Sequence, residues 1–213
     1  MPLVKSAFLN SLGAGTALAD GGIGSLIFQL TGRLASADFV YEALNLRNAE
    51  LIQGIYSSSL AAGATVLTTN TFAANSTELA AAGVGDQVAE INNAAVNIAR
   101  DAISGHIVEY SIDNTEFFVI GSIGPGGSDV DAYSSQIDAL IAGSIDALLL
   151  ETFSDIDLAM GLTKAITSRP DSPPVIVHGA LDPSVGDYLE WPIDPATFVD
   201  QAASAGASVA GIN

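Results

Sequence analysis

Polar residues that close apolar runs are the candidates for chemistry in this 213-residue chain. These residues are Asp20, Asn70, Ser122, Glu151, His178 and Asn213. Glu151 directly follows three leucines, and a carboxylate in such a position is costly to bury without a partner, which favours a functional role. Asp20 precedes two glycines, so it either bonds its own backbone in a turn or points a carboxylate at the ammonium group of a ligand.

The TNTF segment, Thr69 to Phe72, adds hydroxyl and amide groups to this set. Thr69, Asn70 and Thr71 either hydrogen-bond a ligand's carboxylate or cap the next helix. His178 has a side chain suited to acid–base chemistry, although a lone histidine is more often structural. The sequence shows no Ser-His-Asp order, Walker loop or metal-ligand cluster. These residues therefore indicate a site for a small polar ligand that carries an ammonium group.

A recurring pattern predicts the elements that position these residues. AAGATVLTTNTF (61–72), IAGSIDALLLETF (141–153) and SAGASVAGIN (204–213) each place a glycine after an alanine-rich helix end and then an apolar run. The glycine suits a left-handed helix cap, and the apolar run is typical of a strand buried on both faces. With the similar runs 117–125 and 174–180 and the segment 17–25, the pattern predicts strands near residues 18, 67, 119, 148, 176 and 210. Helices are predicted between them, at 75–82, 86–104, 131–142, 155–168 and 195–205.

This alternation of strand and helix predicts an α/β fold with right-handed crossovers. Gly22 and Gly24 belong to a DGGIG segment that lacks the third glycine of a dinucleotide-binding turn. Polar residues at nearly every strand end are typical of a (β/α)8 barrel, whereas an open sheet concentrates them at one crevice. We therefore expect the (β/α)8 TIM-barrel fold, with this chain covering about the first six strands. Residues 1–213 would form a single barrel domain that is incomplete at its C-terminus.

The composition excludes several classes of partner. The chain has 24 acidic and 6 basic residues, a formal net charge of −18. Nucleic-acid binding needs clusters of Lys and Arg that this sequence lacks, and an anionic membrane surface would repel it. No apolar run reaches the roughly 18 residues of a membrane span, so a cytoplasmic location is predicted. The chain has no cysteine, which excludes disulfides and thiolate ligands within it.

Several segments together resemble the homocysteine S-methyltransferase family. They are DGGIGS, AAGATVLTTNTF, INNAAVNIAR (91–100), VIGSIGP, ALLLETFSD and AGASVAGIN, in order from about residue 17 to residue 213. The resemblance implies a (β/α)8 barrel that transfers a methyl group from a small donor to the thiol of homocysteine, which yields methionine. It also implies a zinc ion that binds homocysteine as its thiolate in intact family members.

The resemblance assigns roles to individual residues. It implies that Asp20 and Glu151 bind the amino-acid end of homocysteine. Backbone groups near Thr69 and Asn70 would assist them, and Phe72 would lie on the methyl-donor side. No catalytic residue is assigned within this chain.

The metal site of the family is where the sequence departs from the pattern. Asn213 matches the asparagine of the family's G-x-N-C motif, whose cysteine is the first zinc ligand, and a later pair of cysteines completes the set. This chain has no cysteine, so none of its own residues is assigned as a zinc ligand. His178 stands where many relatives have a small or hydroxyl residue, so the resemblance implies no role for it.

Three interpretations follow. In the leading one, the intact protein is a homocysteine S-methyltransferase and the present chain lacks the zinc site. In the second, the chain is a zinc-free amino-acid-binding or interaction protein on the same scaffold. In the third, copies of the chain complete the barrel as a homo-oligomer, because an open arc of strands leaves two parallel edges unpaired.

Overall fold

A computed structural model describes residues 6–36, 38–127, 129–180 and 194–212 of the chain. This part of the chain has an α/β fold. Its strands are β1 Val66–Thr68, β2 Phe118–Ile123, β3 Ala147–Phe153, β4 Val175–Gly179 and β5 Val209–Ile212. Its α-helices are α1 Ala7–Ala14, α2 Ile23–Thr31, α3 Leu44–Arg47, α4 Ala49–Ala61, α5 Ser76–Ala81, α6 Val88–Tyr110, α7 Ser134–Ala142, α8 Ile156–Thr167 and α9 Pro195–Ala205.

The strands form one parallel sheet in the order β1-β2-β3-β4-β5, so each strand pairs with its neighbours in the chain. Five of the six predicted strands are thereby confirmed. The predicted strand near residue 18 is reduced to one parallel bridge between Ala19 and Val66. This bridge is held by the amide of Asp20, which donates to the carbonyl of Val66 at 2.9 Å. It places Asp20 at the edge of the sheet beside β1.

The five predicted helices are all present; the helix 195–205 has the predicted bounds, and the other four differ at one or both ends. The predicted helix 86–104 begins at Val88 and continues to Tyr110. Asp194 caps α9 by accepting hydrogen bonds from the amides of Ala196 and Thr197, as the Asp-Pro start indicates. Helices α1 to α4 are additional to those predicted. None of the helices in the described ranges combines the length and hydropathy needed to cross a lipid bilayer.

The outer face of the sheet packs against the helices. Alternate residues of each strand point to this face, because side chains in a strand alternate between its two sides. The fully buried strand residues in this layer's cluster are Leu67, Val119, Ile123, Leu148, Leu150, Phe153, Val175 and Val177. They belong to the same hydrophobic cluster as residues of α4, α6, α7, α8 and α9. This layer fixes the strands against one another.

The inner face of the sheet carries a second apolar cluster at the amino ends of the strands. We call this cluster the apolar floor; it comprises Phe8, Val66, Phe118, Ile120, Ala147, Leu149 and Ile176. Phe8 comes from α1, and its ring packs edge-on against Phe118 with the two centroids 5.4 Å apart. Helix α1 therefore closes this end of the inner face.

Candidate functional site

The inner face changes from apolar to polar toward the carboxyl ends of the strands. The change occurs over two residues in each case: Ile120 and Ser122 on β2, Leu149 and Glu151 on β3, and Ile176 and His178 on β4. We call the polar group the polar rim; it comprises Asp20, Thr68, Ser122, Glu151 and His178. These residues line a cavity of about 880 Å³, a volume typical of small-molecule sites.

Asp20 is held in the rim by Thr68. The Thr68 amide lies 3.0 Å from Oδ1 and 3.1 Å from Oδ2 of Asp20, and the Thr68 hydroxyl donates to Oδ1 at 3.0 Å. Burial raises the pKa of Asp20 to about 7 in spite of these hydrogen bonds, and the charge of Glu151 raises it further. The carboxyl group is therefore close to half-ionised at neutral pH and is stabilised as an anion by any cation that enters the cavity.

Glu151 is held on β3 by a hydrogen bond from the Ser122 hydroxyl, 2.5 Å from Oε1. Burial raises the pKa of Glu151, and this hydrogen bond offsets part of the effect. The next residue, Thr152, has a left-handed backbone with φ 65°, which is uncommon for a β-branched residue. The pairing of β3 with β4 shifts register between Leu150 and Phe153. The irregular backbone thus begins directly after the carboxylate.

The threonine side chains of the TNTF segment, which follows β1, hydrogen-bond to the backbone of β2. Their two hydroxyl oxygens, in Thr69 and Thr71, lie 2.5 Å apart. The Thr71 hydroxyl donates to the carbonyl of Ser122 at 2.7 Å, and the Thr69 hydroxyl accepts from the Ser122 amide at 3.1 Å. These side chains connect two strand ends, a role that the sequence interpretation, with its choice between ligand binding and helix capping, did not include.

Asn70 belongs to a buried network that shapes the same segment. Its Nδ2 donates to the Tyr41 carbonyl at 2.8 Å and to Asn45 Oδ1 at 3.0 Å. The Asn70 amide donates to the Tyr56 hydroxyl at 3.0 Å, and that hydroxyl donates to the Thr68 carbonyl at 2.9 Å. Burial raises the pKa of Tyr56 far above its usual range, so this hydroxyl stays protonated. Tyr56 therefore fixes the backbone on both sides of Thr69.

Phe72 lines the cavity and is 37% exposed. The Phe72 carbonyl accepts a hydrogen bond from the amide of Gly124 at 2.8 Å. A Cβ atom at position 124 would lie 2.5 Å from the Phe72 ring. Position 124 must therefore be a glycine for the Phe72 ring to occupy this place.

Glu42 is a cavity residue that the sequence analysis missed. Its side chain is only 6% exposed, and Oε1 accepts a hydrogen bond from the Ala73 amide at 2.9 Å. Burial raises the pKa of Glu42, and the charge of Glu78 adds to this effect. An isolated acidic residue in the apolar segment FVYEAL was the available sign of a buried carboxyl group.

His178 lines the cavity from β4, and its ring packs against β5. A Cβ atom at Gly211 would lie 2.8 Å from Cδ2 and 2.9 Å from Nε2 of the imidazole, so the ring lies directly over this glycine. Burial lowers the pKa of His178, which keeps the imidazole neutral. Among the described residues, no hydrogen bond engages either ring nitrogen. Asn213, predicted to close the neighbouring strand, lies outside the described residues.

The residues of this chain do not fit a thiolate zinc site. The sequence contains no cysteine. Within the described ranges, no group of three or more His, Cys, Asp or Glu side chains is arranged to hold a metal ion. The described cavity wall also contains no Lys or Arg. Its charge is therefore suited to a cationic group of a ligand.

Comparison with known sequences gives one family. The family described as homocysteine S-methyltransferase matches residues 17–213. The methionine synthase of Mycobacterium leprae (strain TN) is 26% identical over 156 residues, which cover 66% of this chain and 13% of the relative. The methionine synthase of Mycobacterium tuberculosis (strain ATCC 25618 / H37Rv) gives the same values. The aligned region thus spans only 13% of the length of these relatives.

Comparison with solved structures supports the fold. The metallated form of the homocysteine methyltransferase MmuM from Escherichia coli superimposes with a TM-score of 0.80 at 21% identity, covering 96% of this chain and 76% of that chain. The oxidized form of the same protein gives a TM-score of 0.71 at 18% identity, covering 96% and 94%. The predicted TIM-barrel fold class is thereby confirmed.

Proposed function

Because the chain belongs to the homocysteine S-methyltransferase family, we propose that the whole protein transfers a methyl group to the thiol of homocysteine and forms methionine. We place the amino-acid end of homocysteine in the cavity described above. The observation that carries this proposal is the convergence of Asp20 and Glu151 on one cavity. The two carboxyl groups come from sequence positions 131 residues apart (151 − 20), and their charges interact.

Two half-buried carboxyl groups with raised pKa values form a receptor for an ammonium group. Each is partly desolvated, so its anion lacks the hydration that it would have in water. An ammonium group between Asp20 and Glu151 supplies positive charge and hydrogen-bond donors to both. Its binding lowers both pKa values and leaves the carboxylates ionised. The surrounding hydrogen bonds from Thr68 and Ser122 hold the two side chains in place before the ligand arrives.

The carboxylate of homocysteine is bonded to the same carbon as the ammonium group, so it must bind close to Asp20. Helix α2 begins at Ile23, and its N-cap residue, Gly22, makes no side-chain capping hydrogen bond. Gly21 and Gly22 line the cavity. The amides at a helix N-terminus attract anions, which favours the ligand's carboxylate at this position. The backbone near Thr69 and Asn70 would complete its surroundings.

We place the methyl donor on the side of Phe72. The Phe72 ring forms an apolar part of the cavity wall, and Glu42 lies buried behind the same segment. An apolar wall excludes water from the line between the donor's methyl group and the sulfur of homocysteine.

Zinc is the cofactor that the family implies, and the E. coli structure is of a metallated form. The donor set of this chain does not fit such a site, since it offers no cysteine. We therefore assign no step to a metal bound by these residues. We limit the role of this chain to binding and orienting the acceptor amino acid.

The proposal is tested by calorimetric titration of the 213-residue chain with homocysteine and with 4-sulfanylbutanoate, which lacks the amino group. Two carboxylates that recognise an ammonium group should make homocysteine bind at least about tenfold more tightly, because hydrogen bonds to charged groups each contribute about 1.5–3 kcal/mol. Equal affinities, or no heat with homocysteine, would contradict the proposal.

The absence of cysteine favours a second candidate, a zinc-free amino-acid-binding protein. A methyl-transfer assay on the whole protein separates the two candidates. The assay offers S-methylmethionine or betaine as donor and measures methionine formed from homocysteine. Methionine formation supports the enzyme. Homocysteine binding without methionine formation supports the binding protein.

A further inference from the structure

Strand β3 changes its side-chain alternation directly after Glu151. Leu149 belongs to the apolar floor and Glu151 lines the cavity, so both face the inner side of the sheet. Side chains in a regular strand alternate between the two faces, so residue 153 would also face inward. Phe153 is instead fully buried in the cluster of the outer layer, with its ring centroid 6.2 Å from that of Tyr133. The alternation is therefore broken between Glu151 and Phe153.

The pairing of β3 with β4 shows one extra residue at this point. Leu150 pairs with Val177 and Phe153 pairs with Gly179, so three steps along β3 (150 to 153) match two steps along β4 (177 to 179). An extra residue of this kind is a β-bulge, and bulges next to binding sites redirect a side chain. Thr152, with its left-handed φ of 65°, lies within this bulge.

We propose that Thr152 is a positioning residue whose left-handed backbone directs the Glu151 carboxylate into the cavity while Phe153 stays in the outer layer. This inference rests on the proposed function, in which Glu151 binds the ammonium group of homocysteine. With an extended backbone at Thr152, the strand would alternate regularly, and residues 151 and 153 would share one face. One of the two side chains would then have to leave its place.

Glu151 is the side chain that would move. Phe153 is fully buried against Tyr133, and the Tyr133 hydroxyl is itself held by the Gly127 amide, which donates to it at 2.9 Å. Loss of a buried aromatic ring is among the most costly changes in a protein core. Glu151 is held by the hydrogen bond from Ser122, and burial opposes its ionised form. The left-handed backbone of Thr152 therefore keeps the carboxylate where the ligand needs it.

Thr152 acts through the backbone rather than through contact with the ligand. Its side chain is exposed and does not belong to the described wall of the cavity. A substitution at position 152 therefore changes the preference for positive φ and leaves the lining of the cavity in place.

The test is a series of substitutions at position 152 in the 213-residue chain. Glycine and asparagine tolerate positive φ most readily, alanine less and valine least. The calorimetric affinity for homocysteine should therefore fall in the order Thr152→Gly, Thr152→Asn, Thr152→Ala, Thr152→Val. Thr152→Val should bind homocysteine about tenfold more weakly than Thr152→Gly, because a Cβ atom carries a penalty of this size in the left-handed region. The affinity for 4-sulfanylbutanoate, which lacks the amino group, should stay constant through the series.

Two further measurements show whether Thr152 acts through Glu151. In the Glu151→Gln background, the same substitutions should change homocysteine affinity less than about twofold, because the side chain that they displace no longer carries a charge. Carboxyl ¹³C NMR titration follows Glu151 directly. Burial raises the pKa of Glu151, and this pKa should fall from Thr152→Gly to Thr152→Val as the carboxyl group becomes exposed.

Ser144 provides the matched control. It also has a left-handed backbone, with φ 62°, and its side chain is exposed, but it precedes the amino end of β3 and does not line the described cavity. The same substitutions at Ser144 should lower the stability measured by urea denaturation in the same order. Homocysteine affinity should stay within about threefold of the wild type, because no cavity residue changes its place.

The outcomes separate the two levels of inference. Homocysteine affinity that stays constant through the Thr152 series, while stability falls as it does at Ser144, overturns the positioning role and leaves the proposed function intact. An affinity loss that persists in the Glu151→Gln background also overturns it, since Thr152 would then act by another route. No binding of homocysteine to the wild-type chain overturns the proposed function together with this inference.

Discussion

The apolar floor and the polar rim lie on the same strands, two residues apart, and differ in every chemical respect. The floor is sealed by Phe8 from α1 and contains only hydrocarbon side chains. The rim holds two carboxyl groups and an imidazole. Burial raises the pKa of the carboxyl groups and lowers that of the imidazole, so it favours the neutral form of each. One pleat repeat along a strand therefore separates an apolar surface from one that carries ionisable groups.

The difference shows which part of the inner face stabilises the folded state and which part destabilises it. Burial of apolar side chains in the floor stabilises the fold by about 25 cal/mol per Å² removed from water. Burial of an ionised carboxyl group without a counter-charge destabilises the fold, and the raised pKa values reflect this cost. A change in the floor should therefore alter stability, whereas a change in the rim should alter ligand binding.

The largest effect is expected for Phe8→Ala in the floor. Removing a buried phenyl ring costs about 3–5 kcal/mol of unfolding free energy, because the cavity left behind collapses only in part. Urea denaturation measures the loss. Homocysteine affinity, measured at a temperature where the variant is folded, should stay within threefold of the wild type. An affinity loss as large as the stability loss would show that floor and rim do not act separately. Phe28→Ala, at a 42% exposed site on α2, is the control and should cost far less.

The next largest effect concerns the pH dependence of stability through Asp20. Its pKa rises from 3.8 in the unfolded chain to about 7 in the folded protein, so the folded state binds the proton more tightly. The resulting stability is fully present below pH 4 and is lost as the pH rises through 7. The size of the shift corresponds to about 4 kcal/mol.

Asp20→Asn should remove this dependence. The difference between variant and wild type in urea denaturation should grow from pH 4 to pH 8, with the variant gaining relative stability. Glu42 acts in the same direction in both proteins and cancels in the difference. Asp101→Asn, at an exposed site on α6, should run parallel to the wild type. A constant difference between Asp20→Asn and wild type would show that Asp20 is not the titrating group.

A smaller effect is expected for Glu151→Gln in the rim. Glutamine keeps an oxygen for the Ser122 hydroxyl but carries no charge, so the ammonium group loses one ionic partner. Homocysteine should bind roughly 30- to 100-fold more weakly, about 2–3 kcal/mol, as for a charged hydrogen bond. Calorimetry measures this change, with Glu109→Gln on α6 as the exposed control. Unchanged affinity with 4-sulfanylbutanoate would show that the loss concerns the ammonium group.

The smallest effect is expected for Tyr56→Phe, which removes the hydroxyl between the Thr68 carbonyl and the Asn70 amide. Two buried backbone groups lose a partner, at a cost of about 1–2 kcal/mol in unfolding free energy. Homocysteine affinity should fall only a few-fold, because Thr68 then holds Asp20 less firmly. Tyr110→Phe, at a 56% exposed site, should leave both quantities unchanged. A stability loss without any change in affinity would show that Tyr56 supports the fold but not ligand binding.

The strands and the rim carboxylates could be predicted from sequence because both have local signs. A continuous apolar run after an Ala-Gly helix end predicted β3, and the carboxylate that closes this run predicted Glu151. The short pairing at Ala19 could not be predicted, since its extent depends on the backbone of Val66 rather than on its own residues. Asn213 stays a prediction, as does the extent of the domain.

The supports of the site could not be predicted, because they are contacts between residues far apart in the chain. Thr68 and Asp20 are 48 positions apart, and Ser122 and Glu151 are 29 apart. Tyr56 lies on α4, a helix whose sequence AELIQGIYSSSLA gives no indication that one hydroxyl reaches a strand end. Glu42 accepts its hydrogen bond from Ala73, 31 positions further along the chain. Pattern analysis identifies polar residues at strand ends more readily than the residues that hold them in place.

The contact between His178 and Gly211 couples these two positions. A Cβ atom at position 211 would lie 2.8 Å from the imidazole, so an alanine there would require the ring to move from its place in the cavity wall. A substitution on β5 would therefore change the shape of the cavity through His178.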